Sequence, residues 1–497
     1  MFKKFACLLL VMLFVASSML LAGCNDEGDE SSAVSGTGLD GKGFLNEEKN
    51  WEGETVTIVT QKKDITKFSH CQIDAEEIVG EPVNDAFFER NSFINEKYGI
   101  DIVAVYPEPD ENTVTMLRDD INSNLNDYDA ICCPIFELAP LGIEGLLVDF
   151  NAVENGYIHI KEEWWDQRLI EDLNINDHVY FLSGDAIVDD DEATWVMYFN
   201  KDLVQSHGIE DPFEVVRAGE WTLDKMYEML QNVSLTNGAV KSYDPEVGDQ
   251  WGMVMQSYDY YIFMQSCDQT LIDNTGDKPK MRIDDERNVQ VYQKLADIIL
   301  DGQNIGVADF FGAWDSGVYG QEGKIFQNGN ALFMPSAISS AGGQGLREAE
   351  IHYGILPMPK ADELQDNYTT GVNVYRYCVF GIPVTNKAKL DVTCYALEAM
   401  AYYGKLRVTP EYYDRTLTYK RFTDDDSSEI LDLVFRNRTY DMGSVFNFNS
   451  GKESDGMLYF YASLLGKKTN NLMSTYEEKQ GTYQAGIDDL IKLCYND

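Results

Sequence analysis

The chain has 497 residues and a formal net charge of −45 at pH 7, from 39 basic and 84 acidic side chains. A surface this acidic repels nucleic acid and anionic lipid, so we expect no nucleic-acid partner. The hydrophobic fraction of 44% and the aromatic fraction of 12% are enough to fill hydrophobic cores, and the length predicts two or three domains.

The N-terminal residues are typical of an export signal. Two lysines precede an apolar run over residues 8–15, which is shorter than the about 20 residues that a membrane-spanning helix needs. The sequence Leu-Ala-Gly-Cys at residues 21–24 resembles the lipobox of bacterial lipoproteins. This resemblance implies a signal peptide over residues 1–23 and diacylation, with palmitate, of Cys24. An uncleaved membrane anchor is the alternative.

A tether is predicted after the signal. Residues 24–51 are rich in Gly, Ser, Asp and Glu and contain little that could form a core, which predicts a flexible acidic linker. The folded part therefore begins near residue 52. We expect no later segment to span a bilayer.

The first part of the folded chain alternates between strand and helix patterns. Strands are predicted at residues 55–60, 100–106 and 128–133, and helices at 84–98 and 113–125. Gly99 is the expected end of the first helix. This order predicts a parallel α/β sheet, in which ligands bind beyond the carboxyl ends of the strands. It therefore indicates the loops at 61–70 and 134–137 as parts of a site.

The pattern then restarts. Strands are predicted at residues 178–182, 195–199, 251–256, 331–334 and 353–357, with an extended segment at 377–383. Helices are predicted at 203–207, at 288–300, at 321–327, at 391–403 and after Trp221, with Thr222 as the N-cap of that last one. Gly404 is the expected end of the helix at 391–403, and the remainder is predicted to be helical.

Metals and cofactors are not expected. Nine cysteines are present, and after Cys7 in the signal and Cys24 are set aside the number is odd. With five histidines and no Cys-x-x-Cys, a zinc site is not indicated, and most cysteines are expected to be buried thiols. The acidic runs at 189–192 and 424–426 lack the spacing of an EF-hand calcium loop, and we interpret them as solvated loops.

Six short motifs carry a resemblance to a known family. The sequence Tyr-Phe-Asn-Lys-Asp-Leu at 198–203, followed by a Gly and a Pro, resembles the Tyr-Asn-Lys-Asp-Leu of the extracellular solute-binding family typified by maltose-binding protein. Further matches occur at residues 145–149, 220–222, 326–332, 353–360 and 381–385, in the family's order. The similarity fades after about residue 405.

The resemblance implies an α/β, two-lobed periplasmic-binding-protein-like fold of class II, with a ligand cleft between the lobes. Its implied division is residues 52–178 plus 357–380 for lobe one and 184–353 plus 385–497 for lobe two. Crossing hinge strands are expected near 179–184, 354–357 and 378–384.

The family's sugar sites combine aromatic rings, which stack on the apolar sugar face, with polar side chains that bind hydroxyl groups. The resemblance implies ligand binding by Asp64, Glu137, Glu192, Trp195, Tyr258, Asp259, Tyr260, Trp314, Asp315, Ser336, Tyr375 and Arg376. Core burial is the alternative for the tyrosines, and an interlobe salt bridge is the alternative for Arg376. Trp164, Trp165 and Trp251 are expected in the core.

The implied function is capture without chemistry. The lobes would close on a small solute, and the closed protein would deliver it to an ABC permease in the membrane, as a lipid-anchored monomer on the extracellular face. Oligosaccharide is the leading solute, although the absence of a Trp at 334–340 argues against maltodextrin, and peptides and other polyols stay open. The alternatives are a secreted glycoside hydrolase, which needs two suitably spaced carboxylates, and a sensor or adhesion lipoprotein of the same fold.

Overall fold

The computed structural model describes residues 43–61, 71–108, 111–233, 235–236, 241–300, 304–313, 320–342, 346, 349–413 and 425–495. The chain divides into a unit that ends at Glu47 and a unit that spans Glu48–Asp497, and the second unit contains all the features that follow. Four residues expected to function, namely Cys24, Asp64, Trp314 and Asp315, lie outside the described residues.

The described residues form a four-stranded sheet of order β11-β3-β1-β2. Its strands are β1 (Glu54–Thr60), β2 (Ile100–Val105), β3 (Ala130–Pro134) and β11 (Cys378–Gly381), and its helices are α1 (Pro82–Tyr98), α2 (Thr113–Ser123) and α3 (Ile135–Ile143). Strand β1 is parallel to both β2 and β3, which confirms the predicted parallel arrangement. Strand β11 returns from the far end of the chain and pairs antiparallel with β3.

A second described sheet has five strands in the order β10-β4-β9-β5-β8. They are β4 (Trp195–Asn200), β5 (Trp251–Met255), β8 (Ile305–Val307), β9 (Ala331–Ala337) and β10 (Tyr353–Leu356). Strand β5 is parallel to β8 and β9, whereas β4 is antiparallel to β9. The start of β4 therefore lies at the same edge as the carboxyl ends of β5, β8 and β9.

Further helices of the described chain lie between residues 167 and 327. They are α4 (Gln167–Asp172), α5 (Asp189–Glu192), α6 (Lys201–His207), α7 (Pro212–Arg217), α8 (Leu223–Leu230), α9 (Asp259–Ser266), α10 (Glu286–Leu300) and α11 (Gln321–Gln327), with a small hairpin of β6 (Ile272–Asp273) and β7 (Lys280–Met281). The predicted caps are confirmed, because Thr222 accepts from the Lys225 amide at the start of α8 and Gly99 ends α1 with a φ of 63°.

The segments that join the two sheets contain isolated bridges. Leu182 pairs with Phe380 of β11, and Thr194 pairs with Val372. The prediction of a strand at 178–182 is wrong, because this stretch makes single bridges instead of a continuous ladder.

The C-terminal helices pack on elements of both sheets. They are α12 (Leu390–Pro410), α13 (Asp425–Arg436), α14 (Met442–Phe446), α15 (Phe460–Gly466) and α16 (Leu472–Tyr495). The division implied by the sequence placed residues 385–497 with lobe two, whereas α12 packs on α1 beside the first sheet. The hydroxyl groups of Tyr98 and Tyr403 are 2.6 Å apart at this contact. Helix α13 instead contacts β10 of the second sheet.

Gly404 does not end a helix, so that prediction is wrong. Helix α12 continues to Pro410, and Gly404 lies where it crosses the chain at Asp185. A Cβ atom on Gly404 would lie 1.8 Å from the backbone oxygen of Asp185. Glycine is therefore used here for close approach of two backbones, even though it weakens a helix interior.

The other composition-based expectations concern thiols, metals and membranes. Cys71, Cys132, Cys133, Cys267, Cys378, Cys394 and Cys494 are all buried and reduced, as expected. Among the described residues, no group of three or more His, Cys, Asp or Glu side chains could hold a metal ion. Within the same residues, no helix is both long and apolar enough to cross a bilayer.

Candidate ligand-binding site

Polar side chains from three consecutive connections meet at the carboxyl edge of the first sheet. Gln61 follows β1, Asn112 follows β2 as the N-cap of α2, and Glu137 lies in the first turn of α3 after β3. Oε2 of Glu137 accepts hydrogen bonds from Nε2 of Gln61 at 3.0 Å and from Nδ2 of Asn112 at 3.3 Å. The expectation that ligands bind beyond the carboxyl ends of parallel strands indicated this edge of the sheet. The sequence pointed to Glu137 but not to its two amide partners.

The carboxyl group of Glu137 has a raised pKa. Burial is the largest cause, and the nearby charge of Glu453 acts in the same direction, while the hydrogen bonds from Asn112 and Gln61 oppose it. The group is thus a partly desolvated acceptor at a sheet edge, suited to hydroxyl groups of a neutral solute or to a cation.

The corresponding edge of the second sheet carries Trp195, Tyr258, Asp259 and Ser336. Trp195 begins β4 and pairs with Ala337 at the end of β9, beside Ser336. Tyr258 follows β5, and its ring centroid lies 6.0 Å from that of Trp195. Tyr258 is the N-cap of α9.

Asp259 is held at the start of α9. Its Oδ2 accepts from the amide of Gln256 at 2.8 Å, and burial raises the pKa of its carboxyl well above the usual range. Asp309, which follows β8, and Glu322 on α11 contribute to the same rise. Asp309 in turn accepts from the amide and hydroxyl of Ser257 at 2.7 Å and 2.8 Å. Sequence reasoning missed Asp309 and Glu322.

Tyr375 connects the two sheet edges. Its ring centroid is 4.4 Å from that of Phe136, which precedes Glu137 on α3, and 6.3 Å from that of Tyr258. The rings of Phe136, Tyr375, Tyr258 and Trp195 therefore form a continuous row from the first sheet to the second. We call these four residues the aromatic row. Phe136 was missed, because an apolar residue beside a strand end gives no signal distinct from a core position.

The C-terminal region closes one side of the aromatic row. The hydroxyl oxygen of Tyr459 lies within hydrogen-bond distance of the hydroxyl of Tyr375 and 2.8 Å from Oε1 of Glu453, and the Tyr375 hydroxyl lies 3.1 Å from the same Oε1. Burial raises the pKa of Tyr459 to about 12. Neither Tyr459 nor Glu453 was foreseen, since the motifs that resemble the family fade before this region.

Glu192 and Arg376, both predicted to bind ligand, form an ion pair with each other. Their side chains are only 12% and 2% exposed. The pair joins α5 to the segment that carries Tyr375, so Arg376 forms a salt bridge within the protein. It lies one residue from Tyr375 and three residues from Trp195 along the chain.

The acidic run at 189–192 is a short helix in which Asp189 and Asp190 are buried and the other two residues are partly buried, so its interpretation as a solvated loop is wrong. Arg438 supplies countercharge to it, with nitrogen–oxygen distances of 2.9 Å to Asp191 and 3.7 Å to Asp190. The same guanidinium reaches Asp166 at 3.3 Å. Arg438, which belongs to the C-terminal region, therefore connects α5 to Asp166, the residue that precedes α4.

Tyr260 lies away from the aromatic row. It is 1% exposed, and its hydroxyl donates to the backbone oxygen of Tyr292 at 2.7 Å. Trp164, Trp165 and Trp251 are also buried, as expected for core residues.

A sequence model of the family described as bacterial extracellular solute-binding protein matches residues 75–377, more than half of the chain. Among curated proteins, no sequence matches. Solved structures match over most of their length, as in the galacto-N-biose/lacto-N-biose I-binding protein of an ABC transporter from Bifidobacterium longum. That protein is 13% identical, with 89% of this chain and 98% of that chain covered and a TM-score of 0.57.

Two further solved structures are similar to this chain over most of their length. The GacH receptor of Streptomyces glaucescens is 12% identical, with 87% and 99% of the two chains covered and a TM-score of 0.53. A sugar transporter protein of Rhizobium etli in an open conformation is 13% identical, with 87% and 99% covered and a TM-score of 0.55. These likenesses show a shared α/β, two-lobed fold. Together with the matched range, they establish that the chain belongs to the bacterial extracellular solute-binding protein family.

Proposed function

We propose that the chain captures an oligosaccharide between the carboxyl edges of its two sheets and releases it unchanged to an ABC permease. The observation that carries this proposal is the aromatic row, which runs from one sheet edge to the other and has hydrogen-bonding groups at both ends. Flat apolar rings flanked by fixed acceptors suit a sugar, whose faces are apolar and whose rim carries hydroxyl groups.

The proposed roles follow from the contacts. Trp195, Tyr258 and Tyr375 would stack on sugar rings, and Glu137 and Asp259 would accept hydrogen bonds from hydroxyl groups. Gln61 and Asn112 would hold the Glu137 carboxylate in place, since both already donate to it. Ser336 would add a hydroxyl at the end of β9, where its Oγ is 2.7 Å from Oγ of Ser340.

Similar proteins support the class of solute. The Bifidobacterium longum protein was solved with lacto-N-biose and the GacH receptor with acarbose, and both ligands are carbohydrates.

Closure of the two lobes around the solute would capture it. A ligand that contacts both sheet edges binds the closed form more tightly than the open form, and so shifts the population toward closure. The ion pairs of Arg376 and Arg438 lie in the segments that would move, and they would set the preferred closed geometry. A dissociation constant near 1 μM would correspond to about −8 kcal/mol. We propose no covalent step and no cofactor.

We also propose how the chain divides into lobes and how it is attached to the membrane. The first lobe would contain the first sheet with α12, and the second lobe would contain the second sheet with α13. Cys24 would carry the lipid anchor, and residues 24–51 would be the tether that gives a monomeric protein access to its permease at the outer face of the cell membrane.

A thermal-shift screen over di- and oligosaccharides, followed by calorimetry on the hits, tests this proposal. Ligand at about 100 times its dissociation constant should add about 2.7 kcal/mol to the free energy of unfolding. Tyr375→Ala should weaken binding, whereas the matched control Tyr413→Ala, whose hydroxyl donates to Asp432, should not. Absence of any carbohydrate hit would contradict the proposal, and cleaved products in the same samples would support the glycoside hydrolase instead.

A further inference from the structure

Three cysteines meet on one face of the first sheet. Sγ of Cys71 lies 3.2 Å from Sγ of Cys132, and Cys378 also hydrogen-bonds with Cys71. All three side chains are fully buried. The proposed capture of a solute uses none of them.

The strand register explains why these thiols, and not their neighbours, come together. Cys132 of β3 lies opposite Phe380 of β11, and Cys378 lies opposite Pro134. Because opposed residues and alternate residues share a face of a sheet, Cys132 and Cys378 project to the same side. Cys133 projects to the other side, so the adjacent pair of cysteines on β3 is not arranged for a bond to each other.

Cys71 begins the described chain after residues 62–70. The next residue, Gln72, donates its amide to Oδ2 of Asp189 at 3.4 Å, and the carbonyl of Ile73 accepts from Arg90 at 2.8 Å. Thr60, at the end of β1, pairs in register with Cys132. The chain is therefore already paired with β3 at Thr60, and a bond between Cys71 and Cys132 would attach it to β3 at residue 71 as well.

We propose that Cys71 and Cys132 form a disulfide when the chain folds in the presence of a low-molecular-weight disulfide, with Cys378 placed to exchange with it. The Cys71 thiolate attacks one sulfur of the reagent and releases one thiol. The Cys132 thiolate then attacks the Cys71 sulfur and releases the second thiol. The protein loses two protons and two electrons, and the reagent is reduced to two thiols.

Burial determines when this reaction occurs. It raises the pKa of the Cys132 and Cys378 thiols well above the usual range, so few thiolates form in the folded protein near neutral pH. Oxidation of the folded chain should be slow, and oxidation during folding or at alkaline pH should be fast. The inference does not depend on the proposed solute or its permease.

Peptide mapping tests the proposal. The full chain is refolded from urea in a mixture of reduced and oxidised glutathione, alkylated and digested. A peptide that links Cys71 to Cys132 should appear, and a reductant should abolish it. Refolding with reduced glutathione alone should leave both cysteines alkylated. The disulfide should also raise the urea concentration at the unfolding midpoint, because it restricts the unfolded chain.

Two neighbouring cysteines provide the matched variants. Cys133→Ala should keep the linked peptide, whereas Cys132→Ala should lose it and leave Cys71 either alkylated or linked to Cys378. Full alkylation of Cys71 and Cys132 after oxidative refolding of the unaltered chain would overturn the proposal. So would a Cys132–Cys133 link as the main product.

Discussion

The ring centroids of Phe136 and Tyr375 lie 4.4 Å apart, although Phe136 follows a strand of the first sheet and Tyr375 belongs to the segment that returns from the second. This contact makes the aromatic row continuous. It also places the hydroxyl of Tyr375 beside Tyr459 and Glu453, which fixes the ring from its polar end. A single side chain thus connects both sheets and the C-terminal region.

Loss of the Tyr375 ring should weaken carbohydrate binding. An aromatic contact is worth about 0.5–1.5 kcal/mol beyond area burial, so Tyr375→Ala should raise the dissociation constant by about twofold to tenfold or more. Tyr375→Phe keeps the ring and should recover most of the affinity, because it loses only the hydroxyl group that contacts Tyr459 and Glu453. Calorimetric titration of both variants provides the measurement, and equal affinities for the Ala and Phe variants would refute the stacking role.

Glu137 should make the stability of the unliganded protein depend on pH. Its folded pKa is raised, so the ionised form is less favourable in the folded chain than in the unfolded chain. Below the ordinary Glu pKa of about 4.3, ionisation of Glu137 has no effect on the free energy of unfolding. Its destabilising effect grows as pH rises from there to the folded pKa, and is constant above it. Glu137→Gln should therefore be more stable than the unaltered chain at neutral pH, with the difference fading in acid. Urea unfolding across pH measures this, and a difference constant with pH would contradict it.

Removal of Arg376 should destabilise the fold more than removal of both partners of its ion pair. Arg376→Met leaves the Glu192 carboxylate largely buried without its countercharge. Such a loss costs about 3–5 kcal/mol in a fully buried pair. Because Glu192 is 12% exposed, we expect a loss of stability at or below the lower end of this range. Adding Glu192→Gln should restore much of the loss. Denaturant unfolding of the single and double variants forms the cycle, and additive effects would show that the pair is not coupled.

Gly404→Ala should be destabilising, because the new Cβ would lie 1.8 Å from the backbone oxygen of Asp185. Overpacking of this kind costs about 1–3 kcal/mol. Gly481 on α16 is a matched control, since a Cβ there meets no atom within 4 Å. Gly481→Ala should stabilise the helix by up to about 1 kcal/mol. Thermal unfolding of the two variants should thus shift in opposite directions.

Cys24→Ser should release the protein from cells. The substitution removes the thiol that we propose is acylated, so labelled palmitate should no longer be incorporated and the protein should appear in the medium or as unprocessed precursor. Fractionation and labelling of the two forms provide the measurement. Retention of label in the variant would place the lipid elsewhere.

The alternation of strand and helix patterns over residues 55–133 was enough to predict the parallel part of the first sheet. Of the strands predicted after it, those at 195–199, 251–256, 331–334 and 353–357 belong to the second sheet, whereas the one at 178–182 is not a strand. Such periodicities are local, because a strand or helix shows its buried face within a few residues. The motifs that resemble the family added the class of fold. The expectation that ligands bind beyond the carboxyl ends of parallel strands also indicated where Glu137 would lie, since the position of a ligand edge follows from parallel topology.

Other features depend on residues far apart in the sequence. The partners of Tyr375, the ion pair of Glu192 with Arg376, and the burial of the acidic run at 189–192 arise only when the return segment and the C-terminal region pack against the sheets. The same holds for Gly404, whose role is decided by the backbone of Asp185. The sequence by itself determined most local elements, because these follow from short-range patterns, and its resemblance to the family implied the type of fold. Only the tertiary structure decided which aromatic and acidic groups meet, because such contacts are set by how distant segments cross.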